Sequence, residues 1–170
     1  MNDTDRRRRL EALFHAHAAA VWAYAARRAD AGTADDITSD VFVIAWRRLD
    51  DVPEDALPWL LACARRVVAN RWRATRRQTA LRERLSRERP PAPAPATWDS
   101  ALSDALRSLR PDDREVLMLI AWEGLDAGQA ATVIGCTRRA LTMRLHRARR
   151  RLAAALASAD PARTDPMEAM

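Results

Sequence analysis

The sequence predicts an all-α protein: two small helical domains joined by a Pro/Ala-rich linker, the second carrying a helix-turn-helix. Three observations carry that reading. Apolar residues recur at helical spacing through both halves of the chain. Glycine is scarce, at 4 among 170 residues, while alanine and arginine abound, a composition that favours helices over sheets. Between the halves, Pro90-Pro91-Ala92-Pro93-Ala94-Pro95 sets prolines too densely for a helix and suits an extended spacer. The domains are expected at 1–88 and 98–157, with the linker at 89–97. A polar, proline-containing tail at 158–170 is expected to be disordered.

In the first half, Leu10, Leu13, Phe14, His17, Val21, Tyr24 and Ala25 share one helical face. Gly32-Thr33 breaks the chain, with Thr33 as N-cap and Asp35 and Asp36 in the first turn of the next helix. Ile37, Val41, Ile44, Ala45 and Leu49 form its stripe. Pro53 and Pro58 bracket a loop at 50–57. Leu57, Leu60, Leu61, Ala64, Val67 and Val68 open a third helix that gathers arginine to about Arg89. The second half has helices near 98–109, 111–123, 127–134 and 137–157. Pro111 suits a first turn and Gly124 a C-cap. Val116, Leu117, Leu119 and Ile120 should be core, as should Leu141, Leu145, Ala148 and Leu152, spaced four, three and four.

Charge is arranged in blocks. The net charge is +6, and all 29 basic residues are arginine. Residues 34–55 hold seven acids against two arginines, and residues 65–89 hold ten arginines against two acids. Residues 99–126 are acidic again, and 138–151 are purely basic. A single charge run would be a solvated face; two separated basic helices with acidic neighbours point to partners of opposite sign.

Several function classes lack support. Cys63 and Cys136 have no ligand-like spacing and fall on faces expected to be buried. His15 and His17 diverge on their helix, so no metal site is expected. No carboxylate or histidine cluster and no nucleophile with a neighbouring base suggests an enzyme, and no cofactor is expected. No apolar run approaches a membrane span and no signal-peptide core follows residues 1–9, so no membrane insertion and a cytoplasmic, reduced setting are expected.

Two constellations point to nucleic acid. With Leu141, Leu145 and Ala148 turned to the core, the last helix presents Arg138, Arg139, Thr142, Met143, His146 and Arg150 outward, flanked by Arg144 and Arg147. Arginine reads guanine edges bidentately, threonine meets a thymine methyl, and outer arginines hold phosphates. The preceding break at Gly135-Cys136 gives the pattern of a helix-turn-helix. The third helix combines Trp59, Arg65, Arg66, Asn70, Trp72, Arg73, Arg76 and Arg77, a mixture of flat rings and cations that suits strand-separated DNA. The second helix differs: Asp36, Asp40, Phe42, Val43 and Trp46 make an acidic face edged with large apolar groups, fit for a basic protein surface.

These blocks resemble a bacterial RNA polymerase sigma factor, of the small extracytoplasmic-function (ECF) group of the sigma-70 family. Asp35-Asp36-Ile37-Thr38-Ser39-Asp40-Val41-Phe42-Val43-Ile44-Ala45-Trp46 looks like that family's polymerase-binding helix. Pro58-Trp59-Leu60-Leu61-Ala62-Cys63-Ala64-Arg65-Arg66 through Asn70 looks like the helix that melts and reads the downstream promoter element. Arg114-Glu115-Val116-Leu117, Glu123-Gly124-Leu125 and Arg144-Leu145-His146-Arg147-Ala148-Arg149 look like the domain that reads the upstream element. The resemblance spans about residues 10–156. It implies a subunit that confers promoter recognition on RNA polymerase and assists melting, without chemistry of its own. Core polymerase would be met by Asp36, Ser39, Asp40, Val43, Trp46 and Arg47. The downstream element would be met by Trp59, Arg65, Arg66, Asn70, Arg73, Arg76 and Arg77, with a flipped base taken by the loop at 50–57. The upstream element would be met by Arg138, Arg139, Thr142, Met143, Arg144, His146 and Arg147. Promoter DNA is thus an implied partner as duplex and melted strand, and the resemblance allows for an anti-sigma factor.

Departures from the family's pattern are Ser39 for a usual glutamine, Arg66 for a usual asparagine, and Arg139-Ala140 where a glycine and a small residue are usual. Gly128 and Ala130 replace larger residues, and an interior glycine would loosen its helix by about 1 kcal/mol. The rival reading is a stand-alone helix-turn-helix transcriptional regulator, against which the second basic helix argues.

Overall fold

A computed structural model describes residues 2–85 and 100–159. The described elements are α1 (Asp3–Ala26), α2 (Ala31–Arg47), a 3-10 turn (Leu49–Asp51), α3 (Ala56–Leu85), α4 (Ser100–Ser108), α5 (Pro111–Ala121), α6 (Ala127–Ile134) and α7 (Arg138–Ala159). No strand occurs among the described residues. The chain divides into two compact units, residues 1–95 and 96–170. The expected linker lies outside the described residues, as does the expected tail beyond Ala159; Ser158 and Ala159 close α7 instead.

The first unit is a three-helix bundle in which each of α1, α2 and α3 packs on the other two. Val21, Tyr24 and Ala25 of α1, Ile37, Val41 and Ala45 of α2 and Leu60, Leu61 and Ala64 of α3 are all buried and make up its core. Each large aliphatic side chain there contributes about 1.5–3 kcal/mol by leaving water. Phe42, expected on the edge of the acidic face, is buried, and its ring packs edge-on against Phe14 at 4.9 Å between centroids. Its position beside Val41 turns it toward α1, so Phe14 rather than Phe42 carries the exposed surface.

Helix α1 begins at Asp3, where Asn2 caps it by accepting from the Asp5 N–H at 2.8 Å. One helix start differs from expectation. Helix α2 is capped by Asp30, which accepts from both the Thr33 N–H and the Thr33 hydroxyl, so Thr33 is helical and not the cap. Gly32 falls in that first turn, where its flexibility costs little. The loop expected at 50–57 is shorter: the 3-10 turn takes its first residues, and Ala56 and Leu57 already belong to α3.

In the second unit α7 packs against α4, α5 and α6. Leu106, Leu109, Leu117 and Ala148 form a buried cluster, with Leu102, Trp122, Leu145 and Leu152 packed around it. Val116 and Leu119 are fully enclosed, whereas Ile120 is only half-buried. Two arginine arrangements brace the frame. Arg114 donates to the carbonyls of Leu106, Arg107 and Leu109, satisfying acceptors around the end of α4. Asp113, nearly buried, accepts from Arg151 of α7. Helix α5 stops at Ala121 with Trp122 as its C-cap, and Gly124 follows at φ +66° to turn the chain.

The join of α6 and α7 is built by local chemistry. Asp126 accepts from Gly128 and Gln129 while the Gln129 side chain accepts from the Asp126 N–H, a capping box. Gly128 thus sits in the first turn of α6, not in its interior. Ala130 is fully buried, which suits a small side chain. Gly135 ends α6 at φ +77°, and the N–H groups of Gly135 and Cys136 both donate to the Ala131 carbonyl. Thr137 then accepts from the Ala140 N–H and starts α7.

Candidate nucleic-acid interface and acidic docking face

Helix α7 buries Leu141 and Ala148 and turns its arginines outward. Arg138, Arg139, Thr142, Met143, His146 and Arg147 are exposed, and Arg144 is half-buried at the edge of the packed face. Met143 is 57% exposed, unusual for a methionine. The Thr142 hydroxyl donates to the Arg138 carbonyl and the Arg147 Nε to the Met143 carbonyl, which orders both side chains along the helix. With α6 and a three-residue turn before it, this helix has the geometry that enters a major groove.

Helix α3 sorts its residues by stripe. Trp59, Arg66, Asn70, Arg73 and Arg77 follow one another along one line of the helix, and Arg65, Trp72 and Arg76 form the neighbouring line. Arg66, Asn70, Arg73, Arg76 and Arg77 are exposed, and Arg65 is half-buried. Arg73 donates to the Asn70 side chain at 2.5 Å, so cation and amide act as one group. Trp59 is half-buried under the guanidinium of Arg48, 5.8 Å from its ring centroid. Trp72 is 44% exposed and is the more open aromatic surface on this helix.

On α2, Asp36, Asp40, Val43 and Arg47 share one stripe, all exposed. Ser39 lies beside it, exposed, with its hydroxyl donating to the Asp35 carbonyl. Trp46 is half-buried, with the Arg6 guanidinium 5.1 Å from its ring centroid. The two carboxylates converge on Arg71 of α3, at 3.1 Å for Asp36 and 2.7 Å for Asp40. The hydrogen bond that Arg71 donates to Asp40 raises the Arg71 pKa above its ordinary value, with burial opposing and Asp36 adding.

Sequence reasoning missed three arginines here. Arg6 donates to the Trp46 carbonyl and to Asp50, each at 3.0 Å, and Arg9 donates to the Val52 carbonyl at 2.7 Å. Together with the Arg48–Asp51 pair they hold the turn between α2 and α3. Arg6 and Arg9 lie in a run of four arginines that looks like a solvated face. The third is Arg71, which spacing could have found: Leu60, Ala64, Val67 and Arg71 are spaced four, three and four, so the core stripe of α3 leads to it.

The fold and these faces define a two-domain helical protein whose second domain is a helix-turn-helix and whose first opposes an acidic helix to an arginine-rich one. Residues 13–78 match the Sigma-70 region 2 family and residues 99–152 the Sigma-70, region 4 family. The chain is 34% identical over 167 residues to the ECF RNA polymerase sigma factor SigC of Mycobacterium tuberculosis, covering 91% of this chain and 85% of that one. It is 29% identical over 152 residues to SigL of the same species, covering 84% and 86%. Its structure is similar to that of the sigma factor RpoE of Bartonella quintana, solved in complex with the anti-sigma factor NepR: the TM-score is 0.65 at 25% identity, covering 86% of this chain and 96% of that one. The chain belongs to the ECF group of the sigma-70 family. It is a sigma factor, which confers promoter recognition on RNA polymerase at transcription initiation; the stand-alone regulator finds no support.

Proposed function

We propose the following division of labour among the faces. The stripe Asp36, Asp40, Val43 and Arg47, flanked by Ser39 and Trp46, docks on a basic surface of core RNA polymerase. Trp59, Arg65, Arg66, Asn70, Arg73, Arg76 and Arg77 engage the downstream promoter element as it melts, and the turn after α2 takes an unstacked base. Arg138, Arg139, Thr142, Met143, Arg144, His146 and Arg147 meet the upstream element as duplex. The domains run 1–88 and 98–159, with 89–97 as linker and 160–170 as tail. Polymerisation belongs wholly to the partner enzyme, and the protein acts in the cytoplasm. An anti-sigma factor, of the kind seated on RpoE, regulates it. Among the described residues no helix is long and apolar enough to cross a membrane.

The observation that carries this reading is the segregation of charge within one small bundle: exposed carboxylates on α2 and a guanidinium row on α3. Surfaces of opposite sign on adjacent helices suit a polyanion and a basic protein at once. Purified full-length chain is mixed with bacterial core RNA polymerase and resolved by size exclusion. The wild type co-elutes, and Asp40→Arg, helical by circular dichroism, does not. Co-elution of that variant at wild-type affinity would sink the assignment of the face.

A further inference from the structure

Arg71 reaches from the DNA-facing helix to the acidic one. It continues the buried stripe Leu60, Ala64, Val67 past the last core residue, and therefore meets α2 instead of open solvent. Its two terminal nitrogens divide between two carboxylates one helical turn apart: Nη1 donates to Asp36 and Nη2 to Asp40. Each carboxylate is engaged through Oδ2, and their side chains remain 68% and 50% exposed. A carboxylate offers about four acceptor sites, so both keep capacity for a second cation. The trio retains a net negative charge.

We propose that Arg71 is a positioning residue for polymerase docking: by bridging Asp36 and Asp40 it holds both carboxylates in one arrangement for a basic partner surface. The inference rests on the reading of that stripe as the docking face. Two unrestrained aspartates would each lose rotamer freedom when captured, and the bridge removes that loss before the partner arrives. A planar guanidinium fork serves both carboxylates from one side chain with its donors already fixed in place. The hydrogen bond to Asp40, and the smaller one to Asp36, raise the Arg71 pKa, in keeping with that bridge.

The test is the affinity of full-length chain for core RNA polymerase, titrated for wild type, Arg71→Gln, Asp36→Asn and the double variant. Arg71→Gln weakens binding by about tenfold, the cost of ordering two side chains. The two losses combine to less than their product, because Arg71 acts partly through Asp36. Unchanged or tighter binding by Arg71→Gln overturns the proposal, the tighter case making Arg71 a competitor of the partner. Multiplicative losses also overturn it, since Arg71 would then act through the stability of α3. Asp40→Arg separates the two readings: if that variant binds normally the docking face is wrong, and if it fails while Arg71→Gln binds normally only the role of Arg71 is wrong.

Discussion

Gly135 sits where the chain must turn left-handed between α6 and α7. At φ +77° an L side chain is strained whatever the free space around it, and a Cβ there would meet nothing within 4 Å. The cost is therefore conformational rather than steric. Gly135→Ala should lower stability by about 1–2 kcal/mol, read by chemical denaturation. Cys63 gives a second residue-scale expectation. Burial pushes its thiol pKa up, against the pull of Arg66 and Arg48, so little thiolate forms at neutral pH. Iodoacetamide followed by mass spectrometry should modify half-buried Cys136 well before Cys63, and equal rates would contradict the packing of α3. Individual contacts were the least legible part of the sequence. Asp30 and Thr33 are both good caps, and only the hydrogen bonds to Thr33 decide between them. Phe42 and Val43 are neighbours of similar character, and the ring of Phe14 decides which one is enclosed.

Helices respond to their ends and to the surface they present. Asp30 and Asp126 cap α2 and α6, and backbone N–H groups at Thr33 and Gln129 hold both carboxyls below the ordinary value of 3.8. A carboxyl depressed in the folded state stabilises fully above its unfolded value and loses that contribution as pH falls through its folded value. Asp126→Ala should thus melt below wild type at neutral pH, and the two melting temperatures should converge in acid below pH 3.8. A constant gap down to pH 2 would contradict the cap, since about pH 2 lies below most carboxyl values in folded proteins. On α7, Arg147→Ala should weaken binding to a duplex bearing the upstream element and reduce the salt slope by about 1. An unchanged slope would remove Arg147 from the phosphates. Elements were far more legible than contacts. Leu141, Leu145, Ala148 and Leu152 marked the packed face of α7 by spacing alone, and hence its outward arginines. The first turns of α1 were not legible, because Arg6 and Arg9 find their acceptors 40 and 43 residues away, at Trp46 and Val52.

Each unit of the molecule has its own core. Tyr24, Ile37, Leu49, Leu60 and Leu61 are enclosed in the first and Val116, Leu119 and Leu141 in the second. Damage to one core should therefore spare the other. Leu119→Ala should cost about 2–5 kcal/mol in the second unit and abolish upstream-element binding on warming, while docking on core polymerase persists. Simultaneous loss of both activities in one transition would show that the units unfold together. Separate units also suit the division of work, since two modest DNA contacts on one chain add through effective concentration rather than through individual strength. The proline-dense stretch pointed to two domains in the sequence, because prolines set so closely cannot sustain a helix.

The indole of Trp22 is 41% exposed, and its N–H donates to Asp35 at 2.7 Å, next in sequence to the acidic stripe. That placement makes the first unit its own optical probe. Indole emission shifts to the blue when water leaves and dims when a quencher approaches. A chain keeping Trp22 alone, with the other five tryptophans replaced by phenylalanine, would report capture of α2 without any attached dye. A second chain keeping only Trp72 would watch α3 instead. Read in parallel by stopped flow, the two chains would give the order in which protein and nucleic acid arrive.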